Sequence, residues 1–122
     1  MPKNKLTLEA VRKIGLGLPG VIEATAYGAF ALKVGGKLMA CVPTHRSAEP
    51  GSLMVRADAD DIRALVAEAP HIYYVPHHYA GFNAVLVRLS LVSVDVMRDL
   101  LAMAHKFMTR KQVRRAPGRV RR

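Results

Sequence analysis

The sequence predicts an α+β fold, a two-layer sandwich with an antiparallel sheet and helices on one of its faces. The expected order is one helix, three or four strands, a second helix, two strands and a third helix. Two observations indicate this fold. Three segments carry apolar residues at helical spacing, and the short alternating segments between them are joined by tight turns. Tight turns favour antiparallel pairing, and amphipathic helices need one sheet face on which to pack.

Each predicted helix begins after a residue that can accept a hydrogen bond from the first helical turn, namely Thr7, Asp58 or Ser93. Pro19-Gly20 ends the first helix and Pro70 ends the second. The third helix shows the strongest periodicity in the chain. Its recurring apolar residues are Val94, Met97, Leu100, Leu101, Ala104, Phe107 and Met108.

Strands are predicted over residues 21–26, 30–34, 37–42, 52–57, 72–75 and 84–89. Gly35-Gly36 is typical of a two-residue hairpin turn between the second and third strands. Alternation along this hairpin predicts three cross-strand pairs on the helix-facing side: Val34 with Lys37, Leu32 with Met39, and Phe30 with Cys41. The same side is expected to include Leu53, Val55, Val85, Val87 and Leu89.

The other side of the sheet is expected to be an open, semi-apolar face with three cations. Its predicted residues are Ala31, Lys33, Leu38, Ala40, Met54, Arg56, Leu86 and Arg88. Such a face can bind nucleic acid or a partner chain, and an ordinary solvent-exposed face is the alternative.

The 122 residues fit one domain, and a hydrophobic content of 51% is enough for a core. The net charge of +10 is unevenly spread, because residues 106–122 hold eight of the 19 cations and no acid follows Asp99. We therefore predict one domain over residues 1–110 and a basic, disordered tail over residues 111–122. Such a tail is attracted to polyanions, although a solvated tail that only aids solubility is an open alternative.

Several classes of protein are disfavoured. No apolar run is typical of a signal peptide or a membrane span, so a cytoplasmic protein without membrane contact is expected. The single cysteine, Cys41, allows no internal disulfide and is expected to be a buried thiol. The G-x-G-x-x-G match over residues 15–20 ends a helix, whereas a dinucleotide-binding motif opens one. We expect no cofactor.

A metal site and a catalytic site are also disfavoured. His71, His77 and His78 lie close together in sequence, but no carboxylate between Glu68 and Asp95 completes a ligand set. The acids that cluster are placed to begin helices rather than to form catalytic pairs, namely Asp58, Asp60, Asp61 and Asp95. The sequence therefore predicts no metal and no enzymatic activity.

The loop over residues 76–83 combines aromatic, polar and basic side chains. Tyr79, Phe82 and Asn83 are flanked by His77, His78 and, on the following strand, Arg88. Aromatic rings stack on bases, asparagine reads base edges, and cations hold phosphates. Packing of Tyr79 and Phe82 beneath the loop as part of the core is the alternative.

Several blocks of this chain resemble the MmcQ/YjbR family. The first block comprises Leu18-Pro19-Gly20-Val21, Glu23-Ala24 and Tyr27-Gly28. The second runs from Phe30 to Lys37. The others are Leu53-Met54-Val55-Arg56 and the stretch from Tyr74-Val75-Pro76-His77 through Tyr79, Gly81 and Val85. The likeness extends from about Leu6 to Lys111.

The resemblance implies a fold like that of type III secretion chaperones, α-β(3)-α-β(2)-α, which is also compared with CyaY and frataxin. The family is described as DNA-binding through two β wings. By position, one wing corresponds to the Lys33–Lys37 hairpin and the other to the Pro76–Asn83 loop. Some members have a tryptophan near the second loop, where Phe82 stands closest in this chain.

Two functional hypotheses follow. The first is a non-enzymatic DNA-binding protein whose binding is weak or non-specific, with RNA left open as a partner. Its predicted contacts are Lys33, Lys37, Arg46, Arg56, His77, His78, Tyr79, Phe82, Asn83, Arg88, Arg110, Lys111, Arg114 and Arg115. The second is a chaperone-like or self-associating interaction module that uses the outer sheet face. The sequence leaves monomer and weak homodimer open, and it also leaves open an enzyme or small-ligand binder with a deep pocket.

Overall fold

A computed structural model describes residues 6–110 and confirms the α+β fold. Within this range there are three α-helices and a six-stranded antiparallel sheet. The elements are α1 (Leu8–Leu16), β1 (Val21–Ala26), β2 (Ala29–Val34), β3 (Lys37–Cys41), β4 (Ser52–Arg56), α2 (Ala59–Glu68), β5 (Tyr73–Tyr74), β6 (Ala84–Arg88) and α3 (Val94–Thr109). Short 3₁₀ helices cover His77–Tyr79 and Leu89–Leu91. The predicted tail, with Lys111, Arg114 and Arg115, lies outside the described residues.

Local signals set the ends of these elements. The side chains of Thr7, Asp58 and Ser93 accept hydrogen bonds from first-turn backbone N–H groups at 3.1, 3.0 and 3.1 Å. Gly35 and Gly36 have φ values of +61° and +78°, which a two-residue hairpin turn of this kind requires and glycine adopts without strain. The three predicted helix starts and the hairpin turn are therefore confirmed.

The sheet has the strand order β1-β2-β3-β4-β6-β5, and all three helices lie on one of its faces. The main core lies between the two layers. Its fully buried side chains include Val11 of α1, Leu32 and Leu53 of the sheet, and Leu101 of α3. The predicted helix-facing residues Val55, Val85, Val87 and Leu89 belong to the same core.

The hairpin of β2 and β3 contains a bulge. The paired residues are Val34 with Lys37, Lys33 with Leu38, Leu32 with Ala40, and Ala31 with Cys41. Met39 is thus an extra residue in β3, without a partner across the ladder. An extra residue of this kind inverts the alternation of side chains beyond it.

This bulge corrects three predictions. Leu32 lies opposite Ala40, not Met39, and Ala31 rather than Phe30 lies opposite Cys41. Ala40 belongs to the helix-facing core and Cys41 to the opposite face, the reverse of what strict alternation predicts. Alternation assigns faces correctly only where no residue is inserted into the strand.

The outer face of the sheet is not open at its centre, which corrects a further prediction. Ala31, Met54 and Leu86 are at most 5% exposed. They form a second apolar cluster with Ala48 and Tyr79, which come from the segments over residues 43–51 and 76–83. These two segments fold over the outer face, and the apolar surface on which the interaction-module hypothesis depends is covered by the chain itself.

A polar network fastens the first of these segments. The Tyr74 hydroxyl accepts a hydrogen bond from the Glu49 N–H at 2.8 Å and lies 2.6 Å from the hydroxyl of Ser52. The Arg88 guanidinium makes two hydrogen bonds to the Glu49 carboxylate, at 2.9 and 2.7 Å, and lies 4.2 Å from the centre of the Tyr74 ring. Paired bonds of this geometry fix orientation as well as distance.

Candidate nucleic-acid interface

One end of the sheet forms a concave surface with a volume of about 570 Å³, which we call the basic groove. β3 begins there, β4 ends there and β6 begins there, because β4 pairs antiparallel with both neighbours. The last turn of α3 also reaches this place. The lining residues are Lys37, Leu38, Arg56, Asn83, Phe107, Met108 and Arg110.

Three cations from three separate elements therefore meet in the basic groove. Lys37 is exposed at the start of β3. Arg56 is half-buried and donates its Nε–H to the Asn83 carbonyl at 3.1 Å, and burial lowers the pKa of its guanidinium. Arg110 contacts the carboxylate of Asp58 at 3.3 Å. Clustered cations of this kind attract phosphate.

A second cavity, which we call the aromatic pocket, lies on the outer face beneath the two covering segments. Its volume is about 510 Å³. The floor includes Cys41, Met54 and Ala84, all nearly buried. The full lining consists of Tyr27, Leu38, Cys41, Val42, Pro43, Thr44, His45, Met54, Arg56, His78, Tyr79, Phe82 and Ala84.

Aromatic rings form much of this pocket's wall. His45 and His78 stack with their ring centres 3.6 Å apart and their planes 6° from parallel. Tyr79 meets His78 edge-on at 4.9 Å, and the Phe82 ring centre lies 6.3 Å from that of His78. Such a wall presents ring faces and edges to any flat group that enters.

His45 is suited to remain neutral. The backbone N–H of Ser47 donates to Nδ1 of His45 at 3.1 Å, which leaves the ring proton of the neutral form on Nε2. Burial, the neighbouring His78 and then Arg46 hold the pKa of His45 below its ordinary value. A neutral ring stacks on its neighbour without charge repulsion.

Burial disfavours the thiolate form of Cys41 in this pocket. Burial raises the pKa of its thiol to about 11, and thiolate is the reactive form. Burial of Cys41 is confirmed, although on the face opposite to the predicted one.

The fold agrees with comparisons to other proteins. The YjbR family model matches residues 16–107, more than half of the chain. The chain belongs to the YjbR family. The resemblance seen in the sequence motifs is thereby confirmed.

Similar proteins include the uncharacterized protein Rv2570 of Mycobacterium tuberculosis (strain ATCC 25618 / H37Rv) and the uncharacterized protein Mb2600 of Mycobacterium bovis. Each is 30% identical over 121 residues, which cover 88% of this chain and 92% of the relative. The crystal structure of Deinococcus radiodurans protein DR2400, with a DUF419 domain, has a TM-score of 0.72 at 20% identity and covers 91% of this chain and 84% of its own. That likeness shows the fold.

In this YjbR chain the predicted contact residues divide into groups. The basic groove brings together Lys37, Arg56, Asn83 and Arg110, and the aromatic pocket brings together Arg56, His78, Tyr79 and Phe82. Lys33, Arg46 and His77 line neither cavity. Arg88 lines neither as well, and its guanidinium is held by Glu49 and by the carbonyls of Pro70 and His71.

The second β wing implied by the resemblance is not a β structure. The Pro76–Asn83 stretch contains a 3₁₀ helix and turns, and its N–H groups bond within the stretch, from Tyr79 to Pro76, Ala80 to His77, and Phe82 to Tyr79. These local bonds leave no ladder for a wing. The Lys33–Lys37 hairpin does form.

Two residues of the aromatic pocket were not predicted from the sequence to belong to the site. His45 lies 33 positions before His78 in the sequence, and no local pattern predicts their stacking. Tyr27 occupies a turn with φ of +55° and is 87% exposed. The Tyr27-Gly28 pair within a run of alternating residues was the available signal for that turn.

Two absences hold for the described part of the chain. Among residues 6–110, no three His, Cys, Asp or Glu side chains are grouped so that they could hold a metal ion. No helix over the same residues has both the length and the apolar character to cross a membrane.

Residues 15–20 end α1, with Gly17 as its C-cap, whereas a dinucleotide-binding turn begins a helix.

Proposed function

We propose that this chain is a non-enzymatic, cytoplasmic DNA-binding protein that holds the phosphate backbone in the basic groove. The observation that carries the proposal is the convergence of Lys37, Arg56 and Arg110, from three elements, in one groove without a carboxylate among its lining residues. Phosphate contacts of Lys and Arg supply most of the affinity of proteins for DNA.

The sequence beyond α3 supports the same proposal. Arg110 lines the groove and is followed by residues 111–122, which include six Lys and Arg and no acid. Arg110 of the groove is therefore followed directly in the sequence by the cations of the predicted tail. Asn83, at the end of the covering segment, adds an amide suited to a base edge or a phosphate.

The test is duplex DNA binding across a salt series, with the full chain and a version that ends at Arg110. The shorter version retains every described helix and strand. Affinity should fall with salt at a log–log slope of about 0.9 for each neutralised phosphate. The shorter version should still bind, with a smaller slope.

A point variant locates the binding site within the shorter version. Lys37→Ala should weaken binding and reduce the slope by about 1, as the loss of one phosphate contact does. Lys13→Ala removes a charge of the same sign from the exposed surface of α1, on the helical side of the molecule. This variant should change neither the affinity for DNA nor the salt slope. Equal effects of the two variants, or loss of all binding without residues 111–122, would contradict the assignment to the groove.

A further inference from the structure

We propose that the aromatic pocket receives one unpaired nucleobase of the DNA strand whose phosphate occupies the basic groove. This inference rests on the proposed function and adds to it a substrate class: DNA that contains an extrahelical or single-stranded nucleotide. Four features of the described residues support it.

The first feature is the continuity of the two cavities. Leu38 and Arg56 line both of them. The Nε–H of Arg56 is taken by the Asn83 carbonyl, and within residues 6–110 its four terminal N–H donors have no partner. A half-buried guanidinium with open donors between an aromatic pocket and a basic groove matches a nucleotide, in which a base and a phosphate are joined by one sugar.

The second feature is the chemistry of the pocket wall. Its lining includes five aromatic rings and two sulfur atoms but no carboxylate. Aromatic side chains bind bases through their faces without preference for sequence. The volume of about 510 Å³ lies within the range of roughly 300–1,000 Å³ of ligand pockets, so a single base with part of its sugar can enter.

The third feature is the exposure of two of these rings. Tyr27 is 87% exposed and Phe82 is 57% exposed. Exposed apolar surface marks a binding site where it is grouped rather than scattered, and both rings border the same pocket. A base that stacks there would bury apolar surface on both.

The fourth feature is the concave shape, which excludes paired bases. The floor lies on nearly buried sheet residues, below the segments that carry His45 and His78. In a duplex each base is stacked on both faces, so a ring in a pocket can reach it only after the base has left the stack. A nucleotide that is already unpaired enters at a lower free-energy cost.

The experiment compares three labelled DNAs of equal length and phosphate number at one salt concentration. One is a fully paired duplex, one carries a single unpaired adenosine, and one carries an abasic residue at that position. With the full chain, fluorescence anisotropy should show the unpaired adenosine bound on the order of tenfold more tightly than the paired duplex. The abasic DNA should bind with the affinity of the paired duplex. It is as flexible as the DNA with the unpaired adenosine, but it offers no base.

Variants connect the preference to the pocket. Phe82→Ala should remove the preference for the unpaired adenosine over the paired duplex. Tyr27→Asn, which suits the left-handed backbone at that turn, should act in the same direction. Leu91→Ala removes an exposed apolar side chain that does not line the pocket and should preserve the preference. Lys37→Ala should weaken all three complexes by the same factor.

The outcomes separate this inference from the proposed function. Equal affinity for the three DNAs, with Lys37 still required, overturns the base pocket and leaves the groove intact. Binding to none of them overturns both. Free deoxyadenosine monophosphate serves as competitor: if micromolar amounts displace the unpaired DNA completely, the pocket binds a free nucleotide and the assignment to a strand is wrong.

Discussion

The hydroxyl of Tyr74 is expected to stabilise the covering segment over residues 43–51, and Tyr74→Phe removes it without changing ring volume. The variant keeps the stacking of Arg88 on the ring, at 4.2 Å. It deletes the bond accepted from the Glu49 N–H and the contact with the Ser52 hydroxyl. The two losses differ in cost because their surroundings differ.

Burial decides the magnitude. Glu49 is exposed, so water can replace the bond of its N–H, whereas Ser52 is only 4% exposed and its hydroxyl would remain without a partner. An unsatisfied buried hydroxyl costs roughly 1–3 kcal/mol. We therefore expect Tyr74→Phe to lower the free energy of unfolding by about 2 kcal/mol, and Tm by about 8 °C for a chain of this size.

A second substitution tests this reasoning directly. When Ser52→Ala is added to Tyr74→Phe, no buried hydroxyl remains, and about 1 kcal/mol should be recovered. Urea unfolding followed by circular dichroism measures each variant, and Tyr27→Phe, which removes an exposed hydroxyl, is the matched control. The reasoning is refuted if the double variant is no more stable than Tyr74→Phe alone, or if Tyr74→Phe unfolds at the wild-type urea concentration.

Further predictions concern a helix cap, the core and two titrating groups. Ser93→Ala should lower stability in urea by about 1 kcal/mol through loss of the α3 cap, whereas Ser90→Ala should not. Leu101→Ala, at a fully buried position, should cost about 3 kcal/mol in the same assay. Because burial raises the pKa of Cys41 from 9.0 to about 11, stability should fall as pH rises through that interval, and less steeply in Cys41→Ala. Burial and His78 lower the pKa of His45 below 6.5, so an NMR titration of its ring should have a midpoint below pH 6.5. The free energy of unfolding should fall as the pH drops below that value, because the unfolded state then binds a proton that the folded state resists.

Much of the fold was predictable because its signals are local. A cap residue, a run of apolar positions and a Gly-Gly turn each act within a few residues, and the starts of α1, α2 and α3 and the hairpin turn agree with them. The bulge at Met39 was not predictable by alternation, since strict alternation assumes that no residue is inserted into the strand.

The residue types that line the two cavities were visible in the sequence, but their arrangement was not. Basic and aromatic residues led to the prediction of polyanion binding, which stays a prediction, and the sequence offered no means to separate Arg56, which lines both cavities, from Arg88, which is held by Glu49. Both lie at strand ends and have the same chemistry. Their difference arises from a contact between residues 49 and 88, which are far apart in the chain.

The bulge in β3 also determines which residues share the outer face of the sheet. In a regular strand, residues three positions apart point to opposite faces. Leu38 and Cys41 are three apart, yet both belong to the outer cluster, because Met39 is the inserted residue between them. Leu38 borders both cavities and Cys41 lies in the floor of one. Because of this one inserted residue, Leu38 and Cys41 face the same side of the sheet and line the two halves of the proposed nucleotide site. Without the insertion, one of these two side chains would face the helices.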